Sequence, residues 1–507
     1  MTTAVGCPVG HLKSSLTAGV HGPVALQDTY LVEKMQHFDR EQIPQRNVHA
    51  LGTGAYGWLS VSGDVRRFSA AKCFEVGKKI PLFARFSGIF TEKGEAETTR
   101  DPRGFAIKFY TEEGNWDLLA INTPVFNVRD AKTGPDAVHA FKRDPTTHEW
   151  NAATIWDFIV NHPEALHQAL MIFSDKGGTP MSYRYMHAYG CNTFSMVNEK
   201  KERVWVKFHV TSKQGSHGLS EYQAKTIAGE DPDFLSRDLR EAIQRGDYPK
   251  WTLSFQYMEE QEGYKNPIAF DCTKAWPHKE YPLVEIGTIT LDDLPRDFHS
   301  EVEQVAFSPA NVVPGIGYSP DKLLQGRLFM YDDTQFHRLG NNYKQIPINF
   351  PNQVQPNTLY IGGQHQQEVR TKFPHYLPSQ YSHIAPHPAY EPLKSLTDGP
   401  VGYYDYEIEK DKERDYFSQP RVFYGEVLKE KQKEHLCHNI AVNLAKLADE
   451  KLVGKVLELL RGVDEGMAGR VKGMRENITN GKEETLDEAQ KLHRRLRQQL
   501  TTNKIPE

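Results

Sequence analysis

At 507 residues the chain exceeds the size at which a single hydrophobic core usually stops growing, so a large core with appended elements is expected rather than a small module. With 38% hydrophobic and 25% charged residues and a net charge of −5, no basic block rises above an acidic background, which speaks against nucleic acid as a partner. Cys7, Cys73, Cys191, Cys272 and Cys437 are scattered without paired spacing, which argues against a disulfide framework or a zinc site and fits a reducing compartment. No apolar run approaches membrane-spanning length, and the opening residues lack the regions of a signal peptide. An intracellular site, cytoplasmic or peroxisomal, is therefore expected, with no membrane as a partner.

Residues 1–50 are turn-rich and read as an N-terminal arm. From 51 to 295 the pattern becomes strand-like, with apolar or alternating runs at 81–87, 104–110, 204–210, 251–258 and 281–291. So many strands without regular intervening helices imply an antiparallel sheet closed into a barrel. Helical insertions interrupt it around 156–173 and 231–246. Residues 296–415 are rich in Pro, Asn, Gly and Tyr, as befits a segment wrapped over the rest of the molecule. From 416 to 507 helical spacing takes over, with Ile440, Leu444, Leu447, Leu452, Val456 and Leu459 forming one apolar face and a polar helix near 487–500. Gly52, Gly54 and Gly57 satisfy the dinucleotide expression G-x-G-x-x-G. No strand precedes them and no helix follows, so they are read as a flexible turn into the barrel.

Two segments carry chemistry. Arg327 and Tyr331 stand four residues apart, on one face of a helix. A tyrosinate oxygen can hold ferric haem, and a guanidinium beside it stabilises the negative charge. The segment 323–340, together with FDREQIPQRNVHALGTGAYG at 38–57, resembles the proximal and distal signatures of haem catalases. Similar matches at 100–119, 270–283 and 301–322 extend the resemblance over nearly the whole chain. The resemblance implies an α+β catalase fold: an eight-stranded antiparallel barrel, an arm, a wrapping loop and a C-terminal helical domain, assembled as a homotetramer around haem b. It makes Tyr331 the iron ligand, His49 the distal base and Ser87 the group that fixes the His49 tautomer. Arg46, Arg85 and Arg338 match positions that pair with the haem propionates, and Val48, Phe126 and Arg327 complete the haem contacts.

The distal pocket departs from that pattern. The family's distal asparagine, a hydrogen-bond donor to peroxide, is Ile121 here, and Asn122 matches the second asparagine without restoring the donor. Asn127, Gly134 and Gly88 replace bulkier residues, Phe141 replaces a channel glutamine, and the channel carboxylate Asp101 remains. These changes imply a haem oxidoreductase repurposed to oxidise or oxidatively cyclise a larger organic substrate, such as an amine or lipid, with peroxide or a dioxygen species as oxidant. The nearest precedent by resemblance is the fungal chanoclavine synthases of ergot-alkaloid biosynthesis. The alternatives are peroxide disproportionation and a non-enzymatic haem-binding homologue. His167, Ser174, Trp276 and His278 match a surface NADPH site in which Lys176 replaces the usual arginine, Thr211 a lysine and His187 an asparagine, so NADPH is a weaker expectation than haem.

Overall fold

The computed structural model describes residues 1–381, apart from 359, 361, 368–373 and 375, and residues 415–480. The polar helix expected near 487–500 and the later part of the wrapping segment lie outside the described residues. Ten strands follow in chain order: β1 (Gly52–Val61), β2 (Lys79–Gly88), β3 (Arg103–Thr111), β4 (Gly114–Ile121), β5 (Ala188–Tyr189), β6 (Phe194–Val197), β7 (Arg203–Ser212), β8 (Lys250–Glu259), β9 (Val284–Asp293) and β10 (Ile316–Gly317). β1 to β5 pair in succession, β5 joins β7, and the β7–β8, β8–β9 and β9–β1 pairings close an eight-stranded antiparallel barrel. β6 and β10 add to the edge of β7.

Period-two alternation decides which side chains enter the barrel. Leu82, Ala84 and Phe86 of β2, Phe105, Ile107 and Phe109 of β3, and Trp116, Leu118 and Ala120 of β4 belong to its interior core. Each fully buried large apolar side chain contributes about 1.5–3 kcal/mol. The intervening residues Arg85, Ser87, Gly104, Lys108, Asp117 and Ile121 therefore lie on the outer face, which the other segments cover. Gly52, Gly54 and Gly57 lie within β1 and not in the expected turn. Glycine is needed there because neighbouring strands approach closely: a Cβ on Gly57 would stand 2.0 Å from the Thr290 carbonyl oxygen.

The arm contains one helix that the sequence pattern did not reveal, α1 (Thr29–Phe38), capped by the Asp28 carboxylate on Leu31 N at 3.0 Å. None of its residues is buried, although Leu31, Met35 and Phe38 recur at helical spacing. Between β4 and β5 come α2 (Gly134–Phe141), α3 (Ala152–Asn161) and α4 (Leu166–Phe173). The last two pack Trp156, Ile159, Leu166 and Leu170 against the C-terminal helices Glu430–Leu444, Glu450–Val463 and Glu465–Thr479. The single apolar face read from Ile440 to Leu459 is divided between two of those helices. Asp449 starts the second by accepting from Lys451 N and Leu452 N.

The wrapping segment is fixed to the barrel's outer face at Asp117. Its carboxylate meets Lys108 Nζ at 2.8 Å and accepts from Ser308 N and Asn311 Nδ2 at 3.0 and 2.8 Å. The following helix, Lys322–Leu339, starts at Asp321, which caps it on Leu324 N at 3.0 Å.

Candidate functional site

Antiparallel register brings Gly52, Ser87, Gly104 and Ile121 into one transverse row across β1–β4. Direct cross-strand neighbours stand about 4.5–5.5 Å apart and share a face. A Cβ on Gly104 would come within 2.7 Å of both His49 Nδ1 and Ser87 Oγ. The imidazole thus occupies the space over Gly104, whose two cross-strand neighbours are Ser87 and Ile121. Gly104 escaped the sequence reading because it lies inside an ordinary strand pattern, and alanine there has nowhere to go.

His49 comes from the arm and adopts φ 67°, an uncommon backbone conformation for a residue other than glycine. Its N–H donates to the Ile89 carbonyl at 2.9 Å, and its own carbonyl accepts from Arg85 Nη1 at 2.8 Å. Nδ1 lies 2.9 Å from Ser87 Oγ, which leaves Nε2 as the free ring nitrogen. Burial, reinforced by the positive charges of Arg85, Arg327 and Arg46, lowers the imidazole to about 3, so it is neutral over the ordinary pH range.

Three guanidiniums converge beside it. Arg46 donates to the Val302, Glu303 and Val305 carbonyls, and Arg338 to those of Glu303 and Val305. Arg85 bonds the carbonyls of His49 and Ala50. Burial, and then mutual repulsion, pushes Arg46 and Arg338 below the usual guanidinium range. The buried carboxylate facing them is Glu303, 3.8 Å from Arg46 Nη1. Arg46 Nη1, Arg85 Nε and Arg338 Nε are buried without hydrogen-bond partners. Glu303 also lies 3.8 Å from Lys93 Nζ, so positive charge is in excess here, and the unpaired donors point to an anionic group. The two carboxylates of haem b meet that requirement.

On the Lys322–Leu339 helix, Arg327 Nη2 donates to Tyr331 Oη at 2.9 Å. Arg327 also bonds Asn192 Oδ1, and Asn192 Nδ2 donates to the Asp321 carboxylate at 2.8 Å. Burial opposes the Arg327 charge, yet Tyr331 and neighbouring anions raise its pKa on balance. The chain Asp321–Asn192–Arg327–Tyr331 therefore holds the guanidinium in line with the phenol. Asn192 was missed at the sequence level; a carboxamide between Cys191 and Thr193 carries no mark until the fold brings it to Arg327.

Comparison with known proteins agrees with this arrangement. The family described as Catalase matches residues 2–383, and the one described as Catalase-related immune-responsive matches 409–474. The chain belongs to the catalase family. It is 47% identical over 452 residues to a catalase of Aliivibrio fischeri, spanning 88% of this chain and 91% of that one. A catalase of Sus scrofa is 46% identical, with 88% of this chain and 84% of that one covered. Among solved structures, a fungal catalase superposes with a TM-score of 0.89 at 38% identity, covering 94% and 95% of the two chains. Catalase A from Saccharomyces cerevisiae gives 0.88 at 36%, covering 94% and 98%.

This catalase-family chain carries its altered positions in two different ways. Ile121 joins Ile89, Phe90, Phe141 and Phe158 in an apolar cluster, with Val48 and Phe126 packed against it. Asn122 cannot replace the missing donor, because its Oδ1 accepts from Arg103 N at 2.7 Å and its Nδ2 donates to the Gly177 carbonyl at 2.8 Å. Gly134 has no heavy atom within 4 Å of an added Cβ, and Asn127 Oδ1 is buried without a partner. Gly88, by contrast, opens no room: a Cβ there would meet Thr91 Oγ1 at 2.6 Å and Asp101 Oδ2 at 2.9 Å. Nor does Asp101 face a channel through that oxygen. Its Oδ2 accepts the N–H groups of Ile89, Phe90 and Thr91 at 2.7–3.0 Å and so locks the loop after β2.

Of the residues expected to meet NADPH, His167, Ser174 and Trp276 are buried, whereas Lys176 and His278 are exposed. Trp276 is buried with its indole N–H on the Ile268 carbonyl at 3.2 Å. Ser174 caps its own short helix, and Lys176 is exposed. The cavity bordered by Trp276, His278 and Lys207 measures about 30 Å³, room for one water.

Buried neutral histidines make this catalase-family fold acid-sensitive. Burial lowers His49, His167 and His209 to about 3 from an unfolded value of 6.5. Below pH 6.5 the unfolded chain takes up protons that the folded chain refuses. Stability is therefore full above pH 6.5 and is lost progressively as pH falls toward 3. Thermal melts of the haem-free protein should show Tm level from pH 7.5 to 6.5 and falling from there to pH 4, with a shallower slope for His209→Gln; a flat profile would contradict this assignment.

Proposed function

We propose that the chain is a haem-dependent oxidoreductase that cleaves hydrogen peroxide, with Tyr331 as iron ligand and His49 as the proton-transferring base. The observation that carries the reading is the pair of built half-sites, Arg327–Tyr331 and Ser87–His49, close enough for the Arg327 charge to act on His49, beside three buried arginines with unpaired donors. Haem, when bound, supplies the redox centre. Arg46, Arg85 and Arg338 would hold its propionates, and Val48 and Phe126 would pack on its macrocycle. The neutral Nε2 of His49 accepts a proton from one peroxide oxygen and returns it to the other, which departs as water. A second peroxide then gives up two electrons and two protons, which reduce the remaining oxygen of the first to a second water, and leaves as dioxygen. The relatives named catalase at about 45% identity support this disproportionation reading.

A second reading rests on Ile121. An apolar side chain beside His49 offers no hydrogen bond to peroxide, which favours slow disproportionation and delivery of the oxidising equivalents to an organic substrate, as in the chanoclavine-synthase-like cyclisation of a prenylated indole amine. Assembly as a homotetramer belongs to the same proposal and is supported by arm residues such as Val5, Val20 and Leu26, which the single chain leaves in water. Sedimentation velocity of the holoprotein decides it, and a purely monomeric boundary would refute it.

Replacing the ligand tests the core of the proposal. Tyr331→Phe should leave the melting temperature of the haem-free protein near native. It should alter the Soret and charge-transfer bands of the reconstituted protein and lower peroxide turnover by more than about 100-fold. An unchanged visible spectrum would end the proposal.

A further inference from the structure

Arg46 divides its donors between two tasks. Nη2 is engaged by three backbone oxygens, those of Val302, Glu303 and Val305 at 2.9–3.0 Å, whereas Nη1 is buried and bonds nothing. Arg85 and Arg338 repeat the division, with both terminal nitrogens on carbonyls and Nε without a partner. Backbone oxygens therefore seat all three guanidiniums, and a side-chain anion beside them can move without unseating any.

Glu303 is that anion. It ends the short helix Phe298–Glu303 and is 2% exposed. Its Oε1 lies 3.8 Å from Arg46 Nη1, and its Oε2, buried without a hydrogen-bond partner, lies 3.8 Å from Lys93 Nζ. A settled charge pair closes to about 2.7–2.9 Å, so the carboxylate stands between two cations and is committed to neither. Burying it costs desolvation energy that neither long contact recovers in full. Its charge also reaches Arg85 and Arg338, so one carboxylate serves the whole cluster. Lys93 is of another kind. Its side chain is 41% exposed, and its Nζ also reaches Gln42 Oε1 of the arm at 3.4 Å.

We propose that Glu303 is an exchangeable counter-ion: it balances the three arginines before haem is bound and turns to Lys93 when the haem carboxylates take them. This rests on the haem reading above. Under it, Glu303 and Lys93 are positioning residues for cofactor uptake and touch no reacting atom.

Two measurements on the full chain test the exchange: the Tm of the haem-free protein, and the rate at which the loaded protein gives up haem to excess apomyoglobin. Glu303→Gln should lower the Tm by several degrees, because the arginines then face one another without an anion. The same variant should lose haem about tenfold more slowly, because a like charge beside the haem carboxylates is gone. Were Glu303 merely structural, a lower Tm would come with faster haem loss. Lys93→Met should leave the Tm near native and speed haem loss about threefold. In the Glu303→Gln background Lys93→Met should have no effect, since no carboxylate remains to be received. If Glu303→Gln does not fold, Lys93 decides alone, with Lys93→Arg keeping the native rate and Lys93→Met raising it. Faster haem loss from Glu303→Gln, or a native rate from Lys93→Met, would overturn the exchange while leaving the haem reading in place. A native protein that takes up no haem would overturn the haem reading and the exchange with it.

Discussion

His49→Ala is expected to lower peroxide turnover by about 10²–10⁴-fold, the range contributed by a positioned general acid–base group, while haem binding and the Soret band persist. Haem should persist because none of the groups assigned to hold it, Tyr331, Arg46, Arg85 and Arg338, contacts the imidazole side chain for support. The Arg85 bonds go to the backbone carbonyls of His49 and Ala50, which alanine retains. In the native protein the imidazole changes charge only near pH 3, so turnover should be level from about pH 5 to 9 as far as this group is concerned and should fall only under strong acid. Oxygen release measured against haem content checks both points. Activity within threefold of native in the alanine variant would remove His49 from the mechanism.

Ile121→Asn is expected to act in the opposite direction, raising peroxide turnover by about 10²–10³-fold, the usual worth of one aimed hydrogen-bond donor. The register places residue 121 beside Gly104 and hence beside the imidazole that lies over it, so a carboxamide there would reach the same small space as His49. A cost should accompany the gain. The new side chain enters an apolar cluster containing Ile89, Phe90 and Phe141, and until a ligand satisfies its carboxamide the haem-free protein should lose about 1–3 kcal/mol, seen as a lower Tm. If the native protein already turns over peroxide near the diffusional range, the repurposed-pocket reading fails and plain disproportionation stands.

Much of the barrel was legible because β2, β3, β7, β8 and β9 each carry an apolar or alternating run, whereas β4 was not read as one. The proximal pair was legible for a similarly local reason, since four residues on a helix fix a neighbour relation without any knowledge of tertiary structure. Contacts made by long-range register were not. Gly104 matters only because β3 passes beneath a histidine more than fifty residues earlier, and Asn192 only because a strand connection meets the proximal helix. The sequence counted Gly88 among the losses of bulk, but Thr91 and Asp101 already fill the volume beside it; glycine at that point reports a close approach and no vacancy. Helix α1 was missed because its turn-rich surroundings were read as an arm, although Leu31, Met35 and Phe38 recur at helical spacing.

The histidine at residue 49 belongs to the arm and to no barrel strand, and it is kept in a left-handed backbone state by groups that the barrel supplies. The candidate centre is therefore complete only when the arm is docked on the sheet. A molecule whose arm has not docked would keep Tyr331, Arg85 and Arg338 but lack both His49 and Arg46, so competence for proton transfer doubles as a report that the arm has seated correctly.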